Sequence, residues 1–328
     1  MKLRLLFAFL IIILSLFFVK ITVSSISANL PTKEKKAIFY SNQLRQDLKM
    51  TALYALRYAK SSIYLVMFGL TDPSIINLIQ KKSNDNLDVK AYYDRRSSIH
   101  IDLKPNQAFS ITGKGLMHQK ILIVDKKLVF IGSANMTSSS LLMHDNMLVG
   151  LYSEDMAKFI IKKAPYQFGY FKTYVANQKV ELFLLPDMQN IALKKLVDLM
   201  LSSKKSIDIA MFTLTHPRLV DVLIEMKRKG INVKVAIDYG SSKGASKKAV
   251  ERLKKEKIPV LFNKGQQLRH HKFLLIDNTT LVTGSANWTK SAFSKNFDCF
   301  LILYNLDKDQ KSFMKKLLKV IKLESFQK

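Results

Sequence analysis

One run of residues occurs twice in this chain, and it constrains the fold more than any other feature. The first copy reads His118-Gln119-Lys120, four apolar residues and Asp125, then Gly132-Ser133-Ala134-Asn135. The second reads His270-His271-Lys272, four apolar residues and Asp277, then Gly284-Ser285-Ala286-Asn287. Both follow H-x-K-x4-D-x6-G-S-A-N without a gap, and Thr137 and Thr289 extend the match. The repeat reaches further upstream. Ser62–Pro73 matches Ser206–Pro217, and Val89–Asp94 matches Val233–Asp238. A chain built from two copies of one unit must fold each copy alike. It points to one composite site rather than two separate ones.

The local pattern says what each unit contains. Ile121–Val124 and Phe273–Ile276 are short apolar runs bounded by turn residues, which read as buried strands. Strand side chains alternate faces, so His118 shares a face with Lys120, and His270 with Lys272. Asp125-Lys126-Lys127 and Asp277-Asn278-Thr279 read as hairpin turns that return the chain to the Gly-Ser-Ala-Asn loop. Each half then runs helix, strand, helix, strand, insertion, hairpin, strand. The second half carries extra residues between Asp238 and His270, including a basic helix over Lys247–Lys257. The expected fold class is α/β: two similar sandwich halves with mixed sheets, residues 37–176 and 177–328, related by a pseudo-two-fold axis. That axis would bring His118 and His270 together. Two imidazoles, two ammonium groups and two amides converging on one point suit a phosphate, with charge from Lys, donors from Asn and proton transfer or attack by His.

These residues resemble the phospholipase D superfamily, the HKD phosphodiesterases, over roughly Ile38 to Tyr304. The resemblance implies a two-step reaction without metal or other cofactor. His118 attacks phosphorus and forms a phosphohistidine while His270 protonates the leaving alcohol; His270 then activates water or a second alcohol. It implies catalytic roles for His118, Lys120, Asp125, His270, Lys272 and Asp277, with the two aspartates, by their turn position and strand parity, read as positioning or charge-pairing groups. Phosphate binding falls to Asn135, Asn287, Ser133 and Ser285. Eleven residues beyond each motif Asn stand Asn146 and Asp298, where the family places a group that orients a catalytic histidine. A carboxylate raises an imidazole pKa and an amide does not. The expectation is therefore that Asp298 makes His270 the acid and leaves His118 as nucleophile.

Composition narrows the remaining choices. The formal net charge of +28 favours anionic partners: a membrane surface, phosphorylated substrates or nucleic acid. A single Cys299 excludes an internal disulfide framework, and the six histidines show no metal-binding spacing. Lys2 and Arg4 precede the apolar run Leu5–Val19, broken only by Ser15, and small polar residues follow. This pattern over residues 1–30 reads as a signal peptide or N-terminal membrane anchor, hence an exported or membrane-anchored protein. Phospholipid at a membrane surface is the expected substrate, with DNA or RNA, and so a metal-independent nuclease, as the alternative. With both motifs on one chain, a monomer without an obligatory protein partner is expected. His271 and His216 read as structural, Asp94 and Asp238 as turn formers, and the Tyr166–Tyr174 aromatic cluster as packing between halves.

Overall fold

The computed structural model describes residues 9–15, 29–265 and 267–327. Residues 9–15 form a helix; the rest of the proposed export segment, up to Ala28, lies outside the described residues. Among the described residues no helix is long and apolar enough to cross a membrane.

Two mixed sheets form the centre. The first contains β1 (Ile38–Ser41), β2 (Ser62–Met67), β3 (Asp88–Asp94), β4 (Ala108–Ile111), β5 (Lys120–Val124), β6 (Leu128–Gly132) and β7 (Met147–Tyr152). Their order is β1-β7-β6-β5-β2-β3-β4, with β2, β3 and β4 parallel and the other pairs antiparallel. The second contains β8 (Gly169–Val175), β9 (Gln178–Leu184), β10 (Ser206–Met211), β11 (Asn232–Ile237), β12 (Val260–Asn263), β13 (Lys272–Ile276), β14 (Thr280–Gly284), β15 (Cys299–Leu303) and β16 (Ser325–Gln327). Its order, β16-β12-β11-β10-β13-β14-β15-β9-β8, repeats the first and adds an edge strand at each side. Strand β8, which a division after residue 176 leaves with the first half, hydrogen-bonds along its whole length to β9 and belongs to the second sheet.

Strand alternation builds the layers. Tyr64, Val66, Ile121 and Ile123 of the first sheet share one core with Leu182, Phe273, Leu275 and Leu301 of the second, so the sheets pack face to face. The opposite faces, with Ile63, Leu65 and Leu122 on one sheet and Ile207, Ile209 and Leu274 on the other, are covered by helices. The helices Pro73–Asn84 and Pro217–Arg228 both open on proline, whose fixed φ suits a first turn. The expected basic helix is present as Lys247–Lys255. The Tyr166–Tyr174 cluster packs between the halves only in part: Tyr166 meets Tyr92 and Phe297 and Phe171 stacks on Phe159, whereas Tyr170 lies on Phe183 of its own sheet and Tyr174 is exposed.

The hairpins form as the sequence predicts. Asp125 and Lys126 have φ of 52° and 54°, and Asp277 and Asn278 have 50° and 53°, the two successive positive values of a tight turn closed by Lys127 N–H to Val124 O at 3.2 Å and Thr279 N–H to Ile276 O at 2.9 Å. The motif glycines have a steric reason. A Cβ on Gly132 would stand 2.2 Å from the Met147 carbonyl oxygen, and one on Gly284 would stand 2.3 Å from that of Cys299. Only glycine lets the return strand approach its neighbour this closely.

Candidate active site

The C-terminal ends of β2 and β10 and the starts of β5 and β13 meet where the two halves join. The joining contacts are backbone hydrogen bonds that cross from one half to the other. His118 N–H donates to Phe297 O at 2.7 Å and Phe297 N–H donates to Leu116 O at 2.8 Å. The symmetric pair is His270 N–H to Asp145 O at 3.0 Å and Asp145 N–H to Leu268 O at 2.9 Å. Each motif histidine is thus pinned to the segment that follows the motif asparagine of the other half.

This crossing reverses the expected partners. His118 Nδ1 lies 2.7 Å from Asp298 Oδ1, and His270 Nδ1 lies 3.0 Å from Asn146 Oδ1. The carboxylate serves the first histidine and the amide the second, contrary to the pairing within each copy. The physical reason is the docking of the halves: the backbone pairing at Phe297 and Asp145 puts the next residue, Asp298 or Asn146, under the opposite imidazole. The Asn146 amide nitrogen donates to Ser140 O at 2.8 Å, which fixes its oxygen toward His270. Both histidines therefore donate from Nδ1 and leave Nε2 free of these bonds.

Ser133 and Ser285 also differ from expectation. Both are fully buried. Ser133 Oγ donates to Asn146 Oδ1 at 2.8 Å, and Ser285 Oγ to Asp298 Oδ1 at 2.7 Å. They hold the histidine partners rather than facing a substrate phosphate. Asn135 and Asn287 remain half-buried beside the site. Asn135 Oδ1 accepts from Gly69 N–H at 3.3 Å, which leaves its amide group as the donor end. Thr137 and Thr289, the tail of the repeat, cap the short helices Ser138–Leu142 and Lys290–Ser294.

The motif aspartates are not part of the reacting centre. Each stands at the far end of the strand that begins with the motif lysine. Asp125 Oδ1 accepts from the N–H groups of Ser61 and Ser62, and both its oxygens from Lys60 N–H. Asp277 takes those of Lys204, Lys205 and Ser206. They tie the hairpin to the start of the neighbouring strand, a structural function fixed by the strand's five-residue length.

Lys120 and Lys272 are buried, and their Nζ atoms donate to His118 O at 2.7 Å and His270 O at 2.8 Å. Burial pushes Lys120 down to about 7, with Asp298 opposing the shift. Lys272 is held well below its ordinary value, first by burial and then by Lys120. His118 is lowered by burial and Lys120 while Asp298 resists; His270 has no carboxylate beside it and falls further, through burial, Lys272, Lys120 and His118. Burial alone would raise Asp298, but His118, Lys120 and Ser285 hold it below the usual carboxylate range. Four basic groups around one carboxylate make a centre that gains most from an anion. Among the described residues no three His, Cys, Asp or Glu gather to hold a metal ion.

Two pairs of residues gain a place at the site only from the structure. Phe68 and Phe212 each stand beside the histidine and lysine of their half: ring centroids are 4.9 Å and 5.1 Å from His118 and His270, and the lysine nitrogens lie 4.9 Å and 5.0 Å over the rings. Their signal in the sequence is the Met-Phe repeated at 67–68 and 211–212. Asp94 and Asp238 do more than form turns. Asp94 accepts from Met117 N–H at 3.2 Å and Asp238 from Arg269 N–H at 3.1 Å, so each anchors the residue before a motif histidine. His271 is structural as expected, fully buried with Nε2 2.6 Å from Gln43 Oε1. His216 precedes the helix Pro217–Arg228 and packs on Phe293.

The chain is similar to known proteins in sequence and in fold. The chain is 30% identical over 114 residues to a mitochondrial cardiolipin hydrolase of Chlamydomonas reinhardtii, covering 34% of this chain and 50% of that one. It is 31% identical over 113 residues to the human mitochondrial cardiolipin hydrolase, covering 34% of this chain and 44% of that one. The chain therefore spans about half the length of these curated relatives. Its fold matches the crystal structure of a phosphatidylserine synthase from Haemophilus influenzae with a TM-score of 0.69 and 14% identity, over 91% of this chain and 89% of the other. The family described as cardiolipin synthase, PLD-like domain, matches residues 53–164 and 196–321, one match for each half and most of the chain between them. The chain belongs to this phospholipase D-like family.

Proposed function

We propose that the protein is a phospholipase D-like phosphodiesterase that cleaves the phosphodiester of a phospholipid headgroup through a phosphohistidine on His118. The observation that carries this reading is the crossed pairing, which gives two imidazoles with fixed tautomers and two buried lysines in one centre. His118 Nε2 attacks phosphorus, and the bond to the leaving oxygen breaks as His270, which enters as the imidazolium that the bound phosphate anion favours, delivers its Nε2 proton. Water then loses a proton to His270 and attacks the phosphohistidine, which returns His118 neutral.

The crossed pairing supports these roles on a different ground from a carboxylate beside His270. A phosphorylated imidazole carries positive charge, and Asp298 lies where it stabilises that charge. His270, held by an amide, gains no such support for its protonated form and so gives up its proton readily. Lys120, Lys272 and the amides of Asn135 and Asn287 bind the non-bridging oxygens. The lipid assignment is supported by the names of the relatives. A location outside the cytoplasm, exported or anchored, is supported by the Met1–Ala28 pattern and is tested by fusing that segment to a reporter active only outside the cytoplasm. Turnover of cardiolipin, phosphatidylcholine and single-stranded DNA, measured side by side with purified protein, tests the substrate. Cleavage of DNA alone would overturn the lipid assignment and leave the phosphodiesterase chemistry in place.

A further inference from the structure

The segments that follow β3, β6 and β9 lie at the active-site end of the sheets with those that follow β2 and β10, and they differ in character from the turns at the other end. Large apolar side chains stand exposed there, among them Ile99 at 51%, Leu142 at 54%, Met143 at 66% and Met188 at 78%. Each is tied to the site by the backbone. Ile99 N–H donates to Leu70 O, two residues beyond Phe68. Leu142 and Met143 precede His144, whose ring centroid is 6.4 Å from that of His270. Met188 lies in the loop that starts with Leu185 N–H donating to Asp298 O at 2.8 Å. The turns at the far end, residues 59–61, 85–87, 125–127, 202–205, 229–231 and 277–279, carry no exposed large aliphatic residue, although the amphipathic rings of Tyr58 and Tyr174 stand exposed beside that end. They carry Lys60, Lys126, Lys204, Lys205 and Lys229 instead.

Cations accompany the apolar residues at the catalytic end. Arg95, Lys114, Lys243 and Lys295 are exposed there, and none enters an ion pair among the described residues. Exposed carboxylates on this end include Asp47, which caps the helix Leu48–Tyr58, Asp102, and Glu324, which accepts from Gln43. Exposed apolar side chains interleaved with unpaired cations around one opening match an interface of hydrocarbon beneath anionic headgroups.

We infer that the catalytic end of the molecule is a docking face for an anionic phospholipid bilayer. Leu142, Met143, Met188 and Ile99 enter the acyl boundary, and the cations lie at headgroup depth. The inference rests on the phospholipid reading of the site and adds the orientation of the whole molecule. Each cation near such a surface strengthens binding about fivefold. Losing Leu142 and Met188 together to serine weakens vesicle partitioning about tenfold or more.

The test uses the full chain and one introduced cysteine at a time. Native Cys299 is buried, and burial pushes its thiol up to about 11, so it stays unlabelled. Met143→Cys, Met188→Cys and, at the far end, Lys127→Cys carry an environment-sensitive dye. They are mixed with vesicles of phosphatidylcholine and phosphatidylglycerol. The expected result is a blue shift, with quenching by spin-labelled lipid, at 143 and 188 and none at 127. Vesicle binding with the dyes at 143 and 188 still in water would overturn the inference, because another segment would then hold the protein. An equal response at all three positions, or a response at 143 and 188 to single-stranded DNA instead of vesicles, would also overturn it. Hydrolysis of a short-chain, monomeric phosphatidylglycerol separates the two readings. Turnover of that lipid without dye insertion defeats the docking face alone, whereas dye insertion without turnover supports the docking face and defeats the assigned activity.

Discussion

Replacing Asp298 by asparagine gives His118 the same partner that His270 has. Asparagine keeps an oxygen to accept from His118 Nδ1 and from Ser285 Oγ, so the tautomer and the fold survive. What disappears is a buried charge 2.7 Å from the ring. A hydrogen bond to a charged group contributes about 1.5–3 kcal/mol. That support is felt fully only when the ring is positive, in the transition state leading to phosphohistidine. The expected loss in kcat/KM is therefore roughly 10- to 150-fold. The pH dependence has a definite sign. Asp298 raises the His118 pKa against burial and Lys120. A nucleophile must be unprotonated, so activity falls on the acid side as pH drops through that pKa. Removing the carboxylate lowers it, and the acid limb of the kcat/KM profile moves to lower pH. The assay is a pH–rate series on a soluble diester with a good leaving group. An unmoved acid limb with kcat/KM changed by less than about threefold, or movement of the alkaline limb instead, would show that Asp298 does not act on the nucleophile.

The complementary change, Asn146→Asp, should raise the His270 pKa and carry the alkaline limb upward, read from the same profiles. In His270→Ala, acid-quenched mixtures of a labelled good-leaving-group substrate should accumulate label on His118; label recovered on another residue would reassign the nucleophile. Asp277→Ala should cost about 2–4 kcal/mol of stability in urea titrations, from several N–H groups left without an acceptor, while turnover per folded molecule stays the same. Burial would raise the Asp277 carboxyl, but its donors from Ser206, Lys204 and Lys205 hold it below the usual range. Its contribution is thus intact above about pH 4 and lost as pH falls through the folded value. Exhaustive chelation should leave turnover unchanged, because Lys120 and Lys272 supply the charge; a loss restored by a stoichiometric divalent ion would contradict this.

What could be read from the sequence was whatever depends on neighbours along the chain. Apolar runs, the Asp-Lys and Asp-Asn turns and the basic helix all have short-range causes, and they stand where the pattern puts them. The duplication added the layout of the sheets and the convergence of His118 with His270. The partner of each histidine was not legible, since Asp298 reaches His118 across 180 residues only through the docking of two halves. Strand parity likewise says which way Ser133 points but not that Asn146 waits there. Phe68 and Phe212 were visible as a repeat, yet a repeated Phe at a strand end looks like any core residue until its ring is seen beside an imidazole.

The crossed hydrogen bonds at Met117–Phe297 and Asp145–Arg269 make catalysis a late event in the life of the chain. A first half folded alone would own His118 and Lys120 but not Asp298, and a second half folded alone would own His270 and Lys272 but not Asn146. Chemistry switches on only when the two are seated together. The onset of turnover during refolding therefore times the moment at which the halves lock, a clock that spectroscopic probes of either sheet would miss.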